Sequence, residues 1–420
     1  MIRTRLTFAL LLLVACSTRA PQGTGPQPLP RVAPRLIRVA LTTAGAGATI
    51  SATGPFTWQA DADGPVLARA NRGEEWRIER DNNAARVRAL SPASYPGDWQ
   101  RALLVRSDQG FVTVNGKRYR GDLVVFPSDS SYVVVNRLDV EDYLRGVVPL
   151  EIGNRPRGDS AALQAQAVAS RSYAYVRTAE VSGSGTYDVT ATTTDQVYGG
   201  RDAENPLANA AIDATRGLVL RYQGRVVDAP FHSTCGGTTA EAPEVWRANG
   251  APYLQRVSDR IGRSDRYYCD IAPRFRWTRT LSGAELNAAL AQYLRIYAAA
   301  AGTAPGRARS LNVRSRTPSG RVGVLDIETD RATFSVRGND IRYVLRPAGG
   351  EILSSTYFSV EPSQDRDGFV ERVTLRGQGN GHGVGMCQWG TIGRARAGQS
   401  FRTILGTYYP GTSVGPATVQ

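Results

Sequence analysis

Gly158-Asp-Ser-Ala-Ala-Leu-Gln-Ala-Gln-Ala-Val-Ala-Ser-Arg-Ser-Tyr-Ala-Tyr-Val176 reads as the one strong helix of the chain. Asp159 or Ser160 supplies an N-cap, because a short oxygen-bearing side chain satisfies the free N–H groups of a first turn. The run behind it is dense in small, strong helix formers. Ala161, Ala165, Val168 and Ala169 recur at near-helical spacing, and so much alanine implies close packing against other elements. On its N-terminal side, from Leu36 to about Asn136, the pattern is short and β-like: Leu36–Leu41, Ala102–Arg106, Phe111–Val114 and Tyr132–Asn136, separated by turn signals such as Asn115-Gly116. On its C-terminal side come Thr-rich β segments, a further helix near 283–301, more strands to about 373, and a short helix over 401–408. The class is α+β, a strand-rich module of several subdomains with one Ala-rich core helix and a Gly-rich C-terminal active-site loop.

The chain ends on its N-terminal side in a different kind of sequence. Arg3 and Arg5 precede Phe8-Ala-Leu-Leu-Leu-Leu-Val14, and Ala15-Cys16-Ser17 follow. That apolar run is too short to span a bilayer, so residues 1–15 read as a signal peptide. Leu13-Val14-Ala15-Cys16 resembles a lipobox, which makes Cys16 the lipidated residue and the cell envelope, on the outer-membrane and periplasmic side, the destination. Residues 16–36 are rich in Pro, Gly, Thr and Arg and read as a flexible tether. The remaining boundaries are expected at 37–136 for an N-terminal β-rich subdomain, 137–260 for the catalytic core, 261–370 for an α/β insertion and 371–415 for a segment completing the groove.

Charge agrees with an envelope partner. The chain carries 51 Lys and Arg against 37 Asp and Glu, a net +14. Loss of Arg3 and Arg5 leaves +12, carried mostly by Arg. A basic surface attracts nucleic acid, membrane or wall polymer alike; export removes nucleic acid from that set.

Three features carry chemistry. His382 lies in Gly377-Gln-Gly-Asn-Gly-His-Gly-Val-Gly-Met-Cys-Gln-Trp-Gly390, where five glycines within Gly377–Gly385 allow close backbone approach to a ligand. No Gly-Lys-Ser/Thr follows, so a phosphate loop is excluded. His382, Gln388 and Trp389 are the kind of set that binds sugars, an aromatic face against the ring and amide or imidazole on the hydroxyls. His232 lies in Phe231-His-Ser-Thr-Cys-Gly-Gly237. His232 and Cys235, with Cys269 or Cys387, have the spacing of a zinc site; a Cys235–Cys269 disulfide and free buried thiols are the alternatives. Glu151 follows the apolar, Pro-containing stretch Leu144–Leu150. Desolvation there raises a carboxyl pKa, as a general acid needs; a turn cap or an ion pair with Arg145 or Arg171 would read the same way.

Taken together these segments resemble one family. Leu138-Asp-Val-Glu-Asp-Tyr-Leu-Arg-Gly-Val-Val-Pro-Leu-Glu151, Ala162–Tyr173, Gln196-Val-Tyr-Gly-Gly200, Ala214–Leu220, Phe231–Gly237, Gly381–Gly390 and Ile404–Thr412 occur in the order found in the stage II sporulation protein D / amidase enhancer (SpoIID/LytB) family. The resemblance covers roughly residues 36–415. It implies a lytic transglycosylase acting on peptide-stripped peptidoglycan glycan strands, with Glu151 as the single acid/base and no required cofactor. Protonation of the MurNAc–GlcNAc bridging oxygen and deprotonation of the muramic C6 hydroxyl would leave a 1,6-anhydro end. Arg171, Ser172, Tyr173, Gln196 and Tyr198 are further candidates, each for substrate contact or, as the alternative, for structural packing of the core; the resemblance also implies a cell-wall amidase as partner in the alternative, non-cleaving role. Two positions depart from the family pattern. Thr194-Asp195 stands where many members have Cys or His-Cys, and Cys387 stands where many have Ser, so no family metal site carries over.

Overall fold

In the computed structural model, residues 34–417 are described apart from 42–47, 62, 82–85, 92–96, 130, 181–184, 248, 298–303 and 348–349. The signal peptide, Cys16 and nearly all of the tether lie outside the described residues. The fold is α+β and strand-rich. Its N-terminal part is two sheets, antiparallel except where the strand 189–190 runs parallel to 36–41. One has seven strands in the order 189–190, 36–41, 132–139, 122–127, 103–106, 56–59, 66–70, and the other five, 87–90, 76–80, 49–52, 112–114, 117–119. Alternating burial along Leu36–Leu41 and Tyr132–Asp139 presses one face of the large sheet inward. Trp58 and Trp76, one from each sheet, pack with ring centroids 5.5 Å apart.

Eight helices are present among the described residues: α1 (Val140–Ile152), α2 (Ser160–Glu180), α3 (Pro206–Ala214), α4 (Ala242–Val245), α5 (Gly283–Tyr297), α6 (Asp340–Val344), α7 (Gln388–Arg396) and α8 (Phe401–Tyr408). The Ala-rich helix is α2, and α1, α3, α7 and α8 all pack on it. Ala162, Ala165, Ala167 and Ala169 are fully buried, so the small side chains are what let four helices approach one axis. Of the two side chains expected to cap α2, Ser160 is its first residue and Asp159 is engaged elsewhere: Asp159 sits in the preceding 3-10 turn, Arg157–Asp159, and its two oxygens accept from Arg396 at 2.9 Å each.

The segment just before Glu151, read from sequence as an apolar stretch, is helix α1. Asp139 caps it by accepting from the Glu141 N–H, and the helix tolerates Pro149 near its end. Gly146 lets it lie against Tyr198, since a Cβ there would stand 2.5 Å from the ring. A second hydrophobic cluster, from Leu281 to Leu375, is built by α5, α6 and two three-stranded sheets, 276–282 with 370–378 and 358–364, and 308–316 with 322–329 and 333–337.

The C-terminal motif returns to the first core. Phe231-His232 pairs in parallel with Met386-Cys387, and isolated bridges join Thr234 to Asn380 and Ala240 to Val384. The two histidine motifs, 150 positions apart in sequence, therefore run side by side.

Candidate functional site

Glu151 occupies the last turn of α1, where carbonyls point outward without partners and no basic side chain offsets them. Its carboxyl is half-buried, with Oε1 accepting the Val197 N–H at 2.8 Å and the Gln388 side-chain amide close enough to favour its charged form. Burial outweighs these donors and pushes its pKa up to about 7. Neither Arg145 nor Arg171 pairs with it: Arg145 meets Asp142 and Asp213, and Arg171 meets Glu141.

Gln388 opens α7 and also donates to Gln166 Oε1 at 3.3 Å; Gln166 in turn donates to Ser170. The amide chain from α2 through α7 thus aims Gln388 at the carboxyl. Trp389 is half-buried beside it, with the Arg155 guanidinium 5.0 Å from the ring centroid. Arg155 makes no ion pair among the described residues, and its Nε is buried without a hydrogen-bond partner. Leu150, 44% exposed, flanks the same carboxyl in sequence. One partly exposed acid, an amide, an indole face and an unpaired guanidinium make a surface suited to a sugar carrying a carboxylate.

The other expected contacts divide. Tyr173 is half-buried and donates to Asp195 at 2.7 Å; burial first, then that bond, holds its hydroxyl well above the usual range. Gln196 is buried, accepts from Tyr143 at 3.1 Å, and leaves its Nε2 without a partner next to the Val197 N–H. Arg171, Ser172 and Tyr198 need correction as surface contacts. Arg171 has no exposed surface and grips Glu141 through two bonds of 2.8 Å. Ser172 is equally buried, donating to Val168 O and accepting from Leu220 N. Tyr198 packs on Tyr143 and donates to Asn136 at 2.6 Å. All three brace the helices under the site. Arg155 and Gln166 were not singled out from sequence; the only signal was their position within a turn or helix period of Glu151 and Ser170.

His382 is also a brace. Its Nδ1 accepts from Val384 N–H at 3.1 Å, so Nε2 carries the proton and donates to Phe231 O at 2.8 Å. The ring packs against Trp246 at 4.9 Å and His232 at 5.4 Å. His232 donates from Nδ1 to Val384 O at 3.1 Å, and burial first, then Arg321, holds its pKa down to about 3. His232 does not join Cys235 in a ligand set, because the ligand atoms that converge on Cys235 come from Asp259, Cys269 and Cys387. The sulfurs of Cys235, Cys269 and Cys387 do converge, as free thiols, with Asp259 as the fourth member.

A cleft of about 820 Å³ lies elsewhere, between the strands 276–282, 358–364 and 370–378. It is lined by Arg276, Trp277, Arg316 and Tyr357 among others and holds no carboxyl, so it offers no acid for bond cleavage.

Residues 128–222 match the family described as Stage II sporulation protein (SpoIID), and residues 261–385 match a domain of unknown function, DUF8618. An uncharacterized protein of Brachyspira hyodysenteriae is 31% identical over 379 residues, which is 90% of this chain and 92% of its own length. The amidase enhancer of Bacillus subtilis is 30% identical over 312 residues, 64% of this chain but 40% of that protein. Stage II sporulation protein D of the same organism is 27% identical over 297 residues, covering 67% of this chain and 76% of its own.

Proposed function

Because the chain belongs to the SpoIID/LytB family, we propose that it acts on the bacterial cell wall as a lytic transglycosylase, cutting peptide-stripped glycan strands with Glu151 as its only acid/base. The observation that carries this reading is the Glu151 carboxyl itself: partly exposed, unpaired with any cation, and poised near neutrality by its burial. A group with a pKa near the working pH both gives and takes a proton readily. It would protonate the bridging oxygen as the C1–O bond breaks, and the resulting carboxylate would take the proton of the C6 hydroxyl as that oxygen closes on C1. An internal hydroxyl replaces water, so the second carboxylate of a hydrolase is not needed. Product analysis by mass spectrometry on peptide-stripped peptidoglycan tests this. Anhydromuramyl ends support it, and reducing ends would mean hydrolysis and overturn it.

A second reading, a glycan-binding enhancer of a cell-wall amidase, is favoured by the name and 30% identity of one relative. It is the outcome if the wall is bound but not cut while amidase activity rises.

Arg155 supplies substrate charge recognition in this scheme, through the lactyl carboxylate of muramic acid. Arg155→Ala is expected to raise KM about tenfold, the value of one charge-assisted hydrogen bond, with kcat within about threefold. A kcat loss at unchanged KM would remove Arg155 from substrate binding. Attachment to the membrane through Cys16 is part of the same proposal: metabolic labelling with palmitate should mark the wild type and miss Cys16→Ser, and an unlabelled wild type would refute the anchor.

A further inference from the structure

We propose that Cys235, Cys269, Cys387 and Asp259 form a closed, structural zinc site that fixes the N-terminus of α7 and, through it, Gln388. The four ligand atoms lie within 4.8 Å of one another and all four residues are buried. Cys235 Sγ stands 3.5 Å from Cys269 Sγ and 3.8 Å from Asp259 Oδ2. A tetrahedral zinc with sulfur at about 2.3 Å and oxygen at about 2.0 Å spaces its ligands by roughly 3.5–3.8 Å. Thiolate-rich donor sets select zinc over the hard cations.

The surroundings are built for anions. Cys387 Sγ accepts two backbone N–H groups, from Cys235 at 3.2 Å and Gly390 at 3.3 Å, the latter as N-cap of α7. Both the bonds and the positive end of the helix favour a thiolate. Asp259 divides its oxygens. Oδ1 takes Tyr408 Oη at 2.7 Å and Arg394 at 3.0 Å, which leaves Oδ2 facing the sulfurs. An outer layer of that kind orients a metal ligand. On the other side Arg321, 2% exposed, donates to Cys235 O at 2.9 Å, while its Nε and Nη1 have no hydrogen-bond partner. A negatively charged metal–thiolate cluster beside that guanidinium supplies counter-charge that three neutral thiols lack. Gly390 keeps the space open, since a Cβ there would collide with Asp259 and Tyr408.

All four positions of the zinc are filled by protein, so it has none for substrate or water and its role is to hold. It joins the 231–237 segment, the 258–269 loop and α7, whose first residue is Gln388. His232, three residues before Cys235 in the same motif, is not required.

The test is metal content of the full chain, purified without a histidine tag or chelator, as isolated and after reduction with one added equivalent of Zn²⁺. About one bound zinc per chain is expected, with Co²⁺ in its place giving sulfur-to-metal charge-transfer and tetrahedral d–d bands. Removal of the metal should lower the thermal midpoint by on the order of 10 °C. Cys269→Ser and, as a variant that preserves shape, Asp259→Asn should fall well below one equivalent. Absence of bound metal in the reduced, zinc-supplemented wild type would overturn the site, whether mass analysis then finds three free thiols or a Cys235–Cys269 disulfide.

Discussion

Glu151→Gln is expected to eliminate anhydromuramyl products while wall binding persists, a loss in kcat of about 10³-fold or more given what a positioned general acid contributes. The amide is nearly isosteric and keeps an oxygen for the Val197 N–H, so the change removes the proton and little else. In the wild type, cleavage should fall as pH rises through about 7, where the acid ionises. The same variant should be more stable than the wild type above that pH. Burial raises Glu151 from 4.5 to about 7, so the folded chain binds the proton more tightly than the unfolded one. Below about pH 4.5 both states are protonated and nothing is lost. Between the two values the wild type loses stability progressively, and above 7 the full penalty is present, roughly 2–3 kcal/mol after discounting for partial exposure, at about 1.36 kcal/mol per tenfold change in proton affinity. Thermal midpoints at pH 5 and pH 8 check the sign. Equal midpoints for both proteins at pH 8 would mean that the carboxyl is well solvated, and cleavage by the Gln variant would end its role as the acid.

Arg171→Ala should destabilise the chain by about 3–5 kcal/mol, the usual result of removing one partner of a buried ion pair. Arg171 holds both oxygens of Glu141 and donates to the carbonyls of Leu218 and Ile212. Glu141 also accepts the Gly217 N–H at 3.1 Å. Together they lock α1, α2 and the loop leading to the strand 218–222. Truncation leaves a carboxylate without its cation among α1, α2 and α3. Denaturant midpoints measure the loss, and the Glu141→Gln, Arg171→Met pair should recover a good part of it, because replacing both charges removes the orphan. Should Arg171→Ala instead reduce substrate affinity at unchanged stability, the surface role expected for it would stand after all.

Sequence reading located α2, α8 and the strands 36–41 and 132–139 because each carries its pattern locally: alanine density, a Ser-capped amphipathic turn, or alternation of burial. Helix α1 was hidden by Gly146, two valines and Pro149, all weak helix formers held in place by tertiary packing. Glu151 was legible as an acid in apolar surroundings, but its donors were not, since Val197 and Gln388 reach it across the fold. The same limit explains Arg171. A motif says that a residue matters without saying whether it faces ligand or core. Asp259 sits in a loop with no metal-like spacing to any cysteine, so only the folded chain brings it to them.

The contact between Gln388 and Glu151 spans most of the chain, and a ribosome delivers that chain from its N-terminus. The acid is made long before its amide. Under the proposed function, a copy that stops between Glu151 and Gln388 carries the proposed acid without the amide that faces it, and gains that amide only when α7 is made.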